Sequence, residues 1–497
     1  MDTISAAMQG LTGVFALKPF LLMMVGVVLG NVVGIIPGLG GQFLLAILIP
    51  FVFGMDAISG FSLLLGAHAV TATGGSITSI LFNTPGESAN TPTCFDGFAM
   101  TKKGQAGRAM GAALWSSAVG GVIGAIALMV IIPILRPIVL SFGPPEFFML
   151  TILGICFIGT LGGVSPIKGL VTGILGLSLS LVGGDPATGV VRYAFGSLYL
   201  WEGLKQIPVV IGLFAVSEMI ELGVQGGSLV STEIGEVKDS VWEGIKDVHR
   251  HIWLTIKSSV IGVYIGFLPG LGGQASAFFT YGYAQRTSKH PETFGQGNIE
   301  GVIAPEAANN AKEGGALITT VGFGVPGSSG MAILLGAFLI LGVAPGPKML
   351  NEHLPVVFAM AWILAIANLI GAIQTLIFAK QMARVTFIRG TVLIPLILLC
   401  GVLGSYTTSD SMGDLAVTFI FGLLGYYMKV YNYPRAPLVL GLILGRIAEI
   451  NLHFSYAMFG MAFLTRPFTL LFLALVLWTI FSPLIKRLRN RTKVNPA

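Results

Sequence analysis

The sequence predicts an all-α polytopic membrane protein, built from two inverted repeats whose broken or re-entrant helices meet near the bilayer midplane. Three observations predict this fold: an apolar composition, a duplicated pair of glycine-rich motifs, and prolines inside apolar segments too long for one span. Of 497 residues, 54% are hydrophobic and 10% charged, and the mean hydropathy is +0.85. Because a spanning helix needs about 20 apolar residues, the chain has room for about a dozen crossings. This composition excludes a cytosolic enzyme.

Glycine and cysteine usage narrow the class further. The chain contains 68 glycines, about twice the usual share of about 7%. In a membrane chain this surplus indicates close helix packing and interrupted helices, which are typical of transporters. The cysteines Cys94, Cys156 and Cys400 are odd in number and widely spaced, so they predict neither a disulfide framework nor a metal cluster. We interpret them as packing residues and expect no cofactor.

Two ordered motifs occur twice along the chain. GNVVGIIPGLGGQ, which ends at Gln42, recurs as GVYIGFLPGLGGQ, which ends at Gln274. A second pair follows: GGSITSILFNTPGES ends at Ser88, and GGALITTVGFGVPGSS ends at Ser329. Two motif pairs in the same order predict an internal duplication.

A polar stretch divides the two copies. We predict a first membrane repeat over 1–224, a linker over 225–257, a second membrane repeat over 258–485 and a basic tail over 486–497. The linker mixes both signs of charge on a predicted surface helix, with Glu233, Glu236, Lys238, Asp239, Glu243, Lys246, Asp247 and Arg250.

The basic residues predict that the repeats are inverted. Between its two motifs the first half has no Lys or Arg, whereas the second half has Arg286, Lys289 and Lys312. After the second motif the bias reverses, with Lys102, Lys103 and Arg108 in the first half against Lys348 in the second. Opposite bias in equivalent loops implies opposite orientation, and the basic tail predicts a cytoplasmic C-terminus.

Prolines interrupt the apolar segments at four places. Residues 19–53 are apolar throughout, and as one helix they would run about 50 Å against a hydrocarbon core of about 30 Å. Pro37, Pro269, Pro85 and Pro326 each precede glycine and predict broken or re-entrant helices. Irregular backbone at this depth requires a buried or water-filled cavity, so the four breaks predict one central site.

These breaks predict a site for an anion and a cation. A helix that starts inside the membrane presents free N–H groups and a partial positive charge, and carbonyl groups at a break can coordinate sodium. The tips carry no Lys or Arg, so we expect backbone N–H groups to hold carboxylates and Gly86 and Gly327 to let the ligand approach. The alternative is that these motifs only permit packing or kinks, and that Ser and Thr bond back to their own helix.

The predicted substrate-binding residues lie in and around the four breaks. Those of the first half are Pro37, Gly38, Gly40, Gly41, Gln42, Ser76, Thr78, Asn83, Pro85, Gly86 and Ser88. Those of the second half are Pro269, Gly270, Gly272, Gly273, Gln274, Thr319, Pro326, Gly327, Ser328 and Ser329.

Acidic residues supply further candidates. Glu306, with Asn309 and Asn310, is a candidate to hold a cation or form a gate, the alternative being a solvated cap. Glu87 is expected to cap a helix, or else to compete with an anionic substrate. Arg446 and Glu449 are three residues apart and predict a structural ion pair, with direct substrate contact as the alternative.

Two histidines lie in apolar segments. His68 and His453 are candidates for proton relay, although satisfied structural histidines would look the same. The sequence contains no nucleophile with a paired base, no Cys/His metal spacing and no phosphate-binding loop, so we do not expect an enzyme.

At these motifs the chain resembles the large membrane subunit of the bacterial tripartite tricarboxylate transporters. The resemblance covers nearly the whole chain and includes PGLGG in both halves, ILFNTPGES, DGFAMTKKGQAGRAMG, RTSKHPETFGQGNIEGVIAPEAANNAKEGGAL and GVPGSSGMAILLGAFLILGVAPGP. The chain departs from the family pattern at His68, Thr73 and His453.

The resemblance implies an importer of tricarboxylates (citrate-like) or related carboxylates in the bacterial inner membrane, driven by a Na+ or H+ gradient. It also implies a small membrane subunit and a periplasmic substrate-binding protein as partners, and no nucleic acid. A passive anion channel and a membrane-embedded enzyme are the alternatives.

Overall fold

A computed structural model describes residues 2–161, 165–186, 188–225, 239–383 and 390–494 of the chain. The described part is almost entirely helical, and seven of its helices are long and apolar enough to cross a membrane. Shorter apolar helices accompany them, among them Gly41–Val52 and Ser329–Ile340, which follow two of the predicted breaks. The all-α polytopic fold is therefore confirmed.

The elements up to residue 225 form the first half. The helices are α1 Thr3–Val14, α2 Leu17–Ile35, α3 Gly41–Leu48, α4 Ala57–Phe82, α5 Thr91–Lys102, α6 Ala106–Leu140, α7 Pro144–Leu161, α8 Pro166–Ser180, α9 Gln206–Val210 and α10 Ser217–Gln225. A short antiparallel ladder joins β1 Gly183–Gly184 to β2 Val191–Arg192. A π-helix over Ile211–Val216 connects α9 to α10.

The described elements after residue 238 begin with a short polar helix and continue with the second half. The helices are α11 Val241–Arg250, α12 Ile252–Phe267, α13 Gly272–Thr287, α14 Glu300–Phe323, α15 Ser329–Ile340, α16 Pro347–Asn351, α17 Leu354–Ala383, α18 Gly390–Tyr406, α19 Met412–Val430, α20 Ala436–Phe459 and α21 Pro467–Val494. The predicted tail continues α21 to Val494, and residues 495–497 lie outside the described residues.

The helices break at all four predicted places. The first break, residues 36–40, separates α2 from α3, and the second, residues 83–87, follows α4. The third break, residues 268–271, separates α12 from α13, and the fourth, residues 324–328, separates α14 from α15. Proline lacks the N–H that would continue each helix, and glycine allows the turn that follows.

The two halves repeat the same local hydrogen bonds at their breaks. In each half the first break donates to the second, and the end of the long helix closes on a threonine carbonyl. The equivalent pairs are Gly38 N to Gly86 O (3.2 Å) and Gly270 N to Gly327 O (3.3 Å), then Thr84 N to Thr78 O and Val325 N to Thr319 O (both 3.4 Å). The duplication seen in the sequence is therefore also a duplication in structure.

The long helices α4 and α14 of the two halves run antiparallel. Asn310 donates to Thr73 Oγ1 at 2.8 Å, and Glu313, further along α14, approaches His68, which is earlier in α4. The contacting residue of α14 thus comes later in the sequence as its partner in α4 comes earlier. This is the arrangement that an inverted repeat requires.

The loops agree with this antiparallel arrangement. Lys103, after the second motif of the first half, donates to Gln296 O at 2.5 Å in the loop between the motifs of the second half. Reciprocally, Leu341, after the fourth break, lies against Gly60 near the start of α4. Equivalent loops of the two halves thus lie at opposite ends of the molecule.

Glycine brings the paired helices of each half into backbone contact. A Cβ on Gly30 or Gly34 of α2 would lie 2.2 or 2.0 Å from the Ala67 or Thr71 carbonyl oxygen of α4. A Cβ on Gly266 of α12 would meet a carbonyl of α14 at 2.1 Å. The glycine surplus therefore serves close helix packing, as predicted.

The polar linker caps helix α6. Asp239 accepts from the backbone N–H groups of Gly107 and Arg108 at 2.6 and 2.7 Å, and the Arg108 side chain pairs with Asp247 of α11 at 2.6 Å. The predicted surface helix is thus α11. Residues 226–238 of the linker lie outside the described residues, and α12 begins at Ile252, six residues before the predicted repeat boundary.

Candidate functional site

Residues from all four breaks line one polar cavity, which we call the tip cavity. It consists of three adjoining lobes of about 340, 170 and 530 Å³, and Gln42 and Ser88 line all three. The predicted residues that line it are Gly38, Gly40, Gly41, Gln42, Pro85, Gly86, Ser88, Gly270, Gly272, Gly273, Gln274, Ser328 and Ser329.

Three helices begin at the tip cavity. Helices α3, α13 and α15 start at Gly41, Gly272 and Ser329, and the first residues of each line its wall. The first turn of a helix has N–H groups without an intrahelical partner and carries a partial positive charge. Gly38 and Gly270 have φ angles of 85° and 89°, which glycine adopts readily and which turn the chain into the cavity.

Inside this cavity a side-chain hydrogen bond joins two helix starts, one from each half. The amide of Gln42, at the start of α3, donates to the hydroxyl of Ser329, at the start of α15. Ser328 caps α15 by accepting from Met331 N at 3.3 Å. The prediction that breaks from both halves meet is therefore matched by a direct contact between them.

Eight predicted residues do not line the tip cavity. They are Pro37, Ser76, Thr78, Asn83, Pro269, Thr319, Pro326 and Gly327. The hydroxyls of Ser76, Thr78 and Thr319 donate to carbonyls three residues earlier in their own helices, at 2.8 to 3.1 Å. In the structure these three hydroxyls therefore bond to their own helix, which the sequence leaves open as the alternative to ligand binding.

Asn83 and the glycines after proline have structural positions. Asn83 ends α4 in the left-handed region with φ 53°, as Gly324 ends α14 with φ 68°. A Cβ on Gly86 would lie 2.2 Å from Gly34 O, and one on Gly327 would lie 2.5 Å from Gly266 O. Both glycines make room for backbone of their own half, and Gly86 also lines the tip cavity, whereas Gly327 does not.

Basic residues from distant helices line the 340 and 530 Å³ lobes of the cavity. Lys429 of α19 and Arg435, just before α20, line both lobes, and both bind Glu218 of α10, at 2.7 and 2.8 Å. Arg435 also donates to Leu213 O at 2.9 Å, and its guanidinium lies 5.0 Å from the ring centre of Phe214. The four breaks carry no Lys or Arg, as the sequence shows, but two basic side chains from other helices line the cavity beside them.

The π-helix positions this wall. It covers Ile211–Val216, places Phe214 in the cavity and presents the Leu213 carbonyl to Arg435. Single-turn π-helices are uncommon and often occur at functional sites. Sequence reasoning missed Lys429 and Arg435, because nothing in the chain between them and the first break indicates their proximity.

The 170 Å³ lobe contains a further basic residue beside a histidine. Lys312 of α14 and His68 of α4 line it, and the Lys312 ammonium binds Glu313. His68 Nε2 lies 3.3 Å from the same Glu313 oxygen. All three side chains are more than nine-tenths buried. The sequence suggests Lys312 as a loop residue, whereas the structure buries it inside α14.

Glu87 lines the tip cavity instead of capping a helix. Its side chain makes no capping hydrogen bond, although its residue immediately precedes a short 3-10 turn. It lies against Gly40, and a Cβ on that glycine would be 3.5 Å from the Glu87 carboxyl carbon. The expected cap is wrong, and the alternative, a carboxylate close to the predicted anion position, fits the geometry.

The predicted cation or gate residues do not form one group. Glu306 is buried and accepts from Asn90, Thr93 and Ser117 at 2.5 to 3.1 Å, so it is not a solvated cap. Asn310 instead donates to Thr73 and to Asn368, the latter at 2.6 Å.

Asn309 faces a third direction. Its side-chain oxygen lies against Gly273, where a Cβ would approach it to 2.6 Å. Three neighbouring residues of α14 therefore point at three different parts of the molecule.

Glu449 has a different partner from the predicted one. It forms a double hydrogen bond with Arg192 of β2, at 2.7 and 3.1 Å, and Arg446 is exposed. The planar guanidinium of Arg192 meets both carboxylate oxygens, a geometry that Arg446 on the same helix does not provide. The predicted Arg446–Glu449 pair is wrong in its partner.

A possible metal group lies at the same place. Asp185, Glu449 and His453 bring one ligand atom each within 4.8 Å of one another. Arg192 also pairs with Asp185 at 3.1 Å, so both carboxylates already have a cationic partner. We interpret this group as a structural ion-pair cluster.

The chain is similar to proteins of one transporter family. The sequence profile described as the tripartite tricarboxylate transporter TctA family matches residues 20–440. An uncharacterized 52.8 kDa protein in the TAR-I ttuC' 3' region of Agrobacterium vitis is 32% identical over 494 residues, 99% of this chain and 98% of that protein. An uncharacterized protein in the TAR-II ttuC' 3' region is 30% identical over 233 residues, 46% of this chain and 96% of that protein. No solved structure matches the chain.

Proposed function

The chain belongs to the tripartite tricarboxylate transporter TctA family, and we propose that it is the transport subunit that moves tricarboxylates such as citrate, or related carboxylates, across the bacterial inner membrane. It would import them by secondary transport, using a Na+ or H+ gradient. Its C-terminus would be cytoplasmic, as the basic tail indicates.

One observation carries this proposal: broken helices from both halves meet at the tip cavity. The Gln42–Ser329 hydrogen bond joins them, and three helix N-termini face the space between. Broken helices at the interface of inverted repeats are the usual place where secondary transporters bind substrate. Helix N-termini favour carboxylates there.

The cavity walls suit a substrate with more than one carboxylate. One carboxylate would lie at the starts of α13 and α15, beside Lys312. A second would lie by the start of α3, beside Lys429 and Arg435. Charge-assisted hydrogen bonds to these groups are stronger than neutral ones, so a dicarboxylate or tricarboxylate would gain over a monocarboxylate.

Coupling requires that a cation accompany the anion. Carbonyl groups at the four breaks are available as sodium ligands. Glu306, Asn309 and Asn310 remain candidates for a cation or gate, through their three separate sets of contacts. The antiparallel halves would move against each other about the tip cavity to open it to each side in turn.

The partners follow from the family. A periplasmic substrate-binding protein would deliver the carboxylate, and a small membrane subunit would complete the transporter. Transport by this chain alone, at the rate of the three-component system, would refute the need for partners. A passive anion channel remains the second candidate, and a membrane-embedded enzyme the third.

Uptake into proteoliposomes tests the proposal. Vesicles with all three components would be given labelled citrate and succinate under an imposed Na+ or H+ gradient. We expect accumulation above the equilibrium level, which a passive channel cannot produce. Uptake that only equilibrates the label, with or without the gradient, would favour the channel.

A matched pair of arginine variants connects uptake to the cavity. Arg435→Gln removes a cation from the cavity wall, whereas Arg446→Gln changes an exposed arginine nearby in sequence. Loss of a charged hydrogen bond worth about 1.5–3 kcal/mol predicts uptake affinity about 10- to 150-fold weaker in Arg435→Gln. Equal uptake by both variants would contradict this placement of the substrate.

A further inference from the structure

His68 occupies the point where helix starts from the two halves meet. A Cβ on Gly41 of α3 would lie 2.4 Å from His68 Nδ1, and a Cβ on Gly330 of α15 would lie 2.5 Å from Nε2. The ring is 7% exposed and lines the 170 Å³ lobe of the tip cavity. Within the described part of the chain, neither ring nitrogen has a hydrogen-bond partner. A buried imidazole without partners, facing a cavity, is unusual for a residue that only packs.

The charges beside the ring are balanced while His68 is neutral. Lys312 donates its ammonium to Glu313 Oε1, and the other oxygen of Glu313 has no partner among the described residues. His68 Nε2 is 3.3 Å from Glu313 Oε1, close enough to donate after a small rotation. Lys312 also lines the lobe, so its ammonium has two possible acceptors: Glu313 and a ligand in the cavity.

We propose that His68 takes up one proton from solution when a carboxylate binds in the tip cavity. The protonated ring donates from Nε2 to Glu313, and the Lys312 ammonium moves from Glu313 to the incoming carboxylate. This inference rests on the proposed function and identifies a proton as a cation that enters with the anion. No covalent bond changes other than the new N–H bond of the ring.

The electrostatics favour this exchange. A carboxylate in the lobe places a negative charge beside the ring and favours its charged form. The coupling is reciprocal, so a proton on His68 strengthens anion binding by the same factor. Helices α3 and α15 place Gly41 and Gly330 against the ring and contain no titratable residue.

The remaining charged groups are few. Glu87 also lines the lobe, while Lys429 and Arg435 line the adjoining lobes and are paired with Glu218. Glu87 is the one other carboxylate of this lobe in the described residues that could take up the proton. Glu87→Gln is therefore the variant that distinguishes it from His68.

Titration calorimetry of the purified full-length chain tests the proposal. Citrate and succinate are titrated at pH 7.5 in two buffers with different ionisation enthalpies, so that the difference in heat gives the protons taken up per anion. At this pH the carboxyls of succinate are ionised and contribute no protons. We expect up to about one proton per anion in the wild-type chain.

Three variants assign that proton. His68→Gln should bind the anion without proton uptake, while His290→Gln, in an exposed loop, should retain the wild-type number. Proton uptake that persists in His68→Gln, or that disappears in Glu87→Gln and not in His68→Gln, overturns the assignment.

The wild-type measurement decides the case even if a variant does not fold. Anion binding without proton uptake at pH 7.5 overturns the inference and leaves the proposed function intact. Absence of any binding by citrate, succinate and related carboxylates overturns both.

Discussion

One glycine at the second break of each half allows two backbone segments to lie in direct contact. Gly86 approaches Gly34 O and the Cα of Gly75, and Gly327 approaches Gly266 O and Ala316. Neither has a positive φ, so their role is close approach and not an unusual backbone conformation. A methyl group at either position would collide with backbone atoms. A change of side-chain rotamer cannot relieve this collision, so the backbone itself must move.

Alanine at these glycines should therefore destabilise the fold. We expect Gly86→Ala and Gly327→Ala each to lower the free energy of unfolding by about 1–3 kcal/mol, because extra volume in a packed site costs about that much. Thermal melting of the purified chain measures the change. Gly282→Ala is the matched control: it adds the same methyl to a helix of the second half where nothing lies within 4 Å.

Wild-type melting in both variants, with lost carboxylate binding, would show that the glycines face the ligand after all. Melting reduced equally in Gly282→Ala would show that any added methyl destabilises this protein.

The carboxylate of Glu449 gives a second prediction for single residues. Its side chain is 13% exposed and meets Arg192, at 27%, through two hydrogen bonds. We expect Glu449→Gln to destabilise the protein by about 1–3 kcal/mol, since charged hydrogen bonds are lost while Asp185 still holds Arg192. Arg446→Gln, at an exposed position, should melt like the wild type. If Arg446→Gln also lowered the melting temperature as much as Glu449→Gln does, the Arg446–Glu449 pair predicted from the sequence would be supported instead.

At the scale of helices and loops, the features with local causes were predictable. The four breaks follow from proline and glycine in the segment itself, and the linker helix follows from its charge pattern. Partners remote in sequence were not predictable. Arg192 is 257 residues from Glu449, and Arg435 lies nearly 400 residues after the first break. A helix pattern shows which residues share a face but not which distant loop packs on that face.

One loop shows how a distant partner organises an element. Asp96 of α5 accepts from the backbone N–H groups of Gly295, Gly297 and Asn298, each at 2.8 Å, and from the Tyr281 hydroxyl at 2.8 Å. This carboxylate in the first half fixes the loop between the motifs of the second half.

Removing that carboxylate should release the loop. In Asp96→Ala three backbone N–H groups lose their acceptor, and each hydrogen bond left unmade costs about 1–3 kcal/mol. Amide exchange over 295–298 should therefore accelerate about 5- to 150-fold. Hydrogen exchange with mass spectrometry measures this. Glu292→Ala, on the same loop with a side chain 68% exposed, is the control. Unchanged exchange in Asp96→Ala would show that other contacts hold the loop.

At the scale of the molecule, the antiparallel halves predict a topology. The loop near residue 53 and the loop near residue 289 are equivalent in the repeat, and they lie at opposite ends of the structure. In a Cys400→Ser background, Phe53→Cys and Lys289→Cys should react with an impermeant maleimide from opposite sides of the membrane. The other two cysteines, Cys94 and Cys156, are buried and should not interfere. Labelling of both positions from one side would refute the inverted repeat.

Substrate protection of a cysteine in the tip cavity tests the central claim most directly. Ser88→Cys lies in all three lobes, whereas Lys289→Cys lies in an exposed loop. A carboxylate that occupies the cavity should slow alkylation of Ser88→Cys by about tenfold or more at ten times its Kd or above, because only the unoccupied fraction reacts. Alkylation of Lys289→Cys should not change. Equal alkylation of Ser88→Cys with and without a carboxylate that demonstrably binds the protein would place the substrate elsewhere and contradict the account.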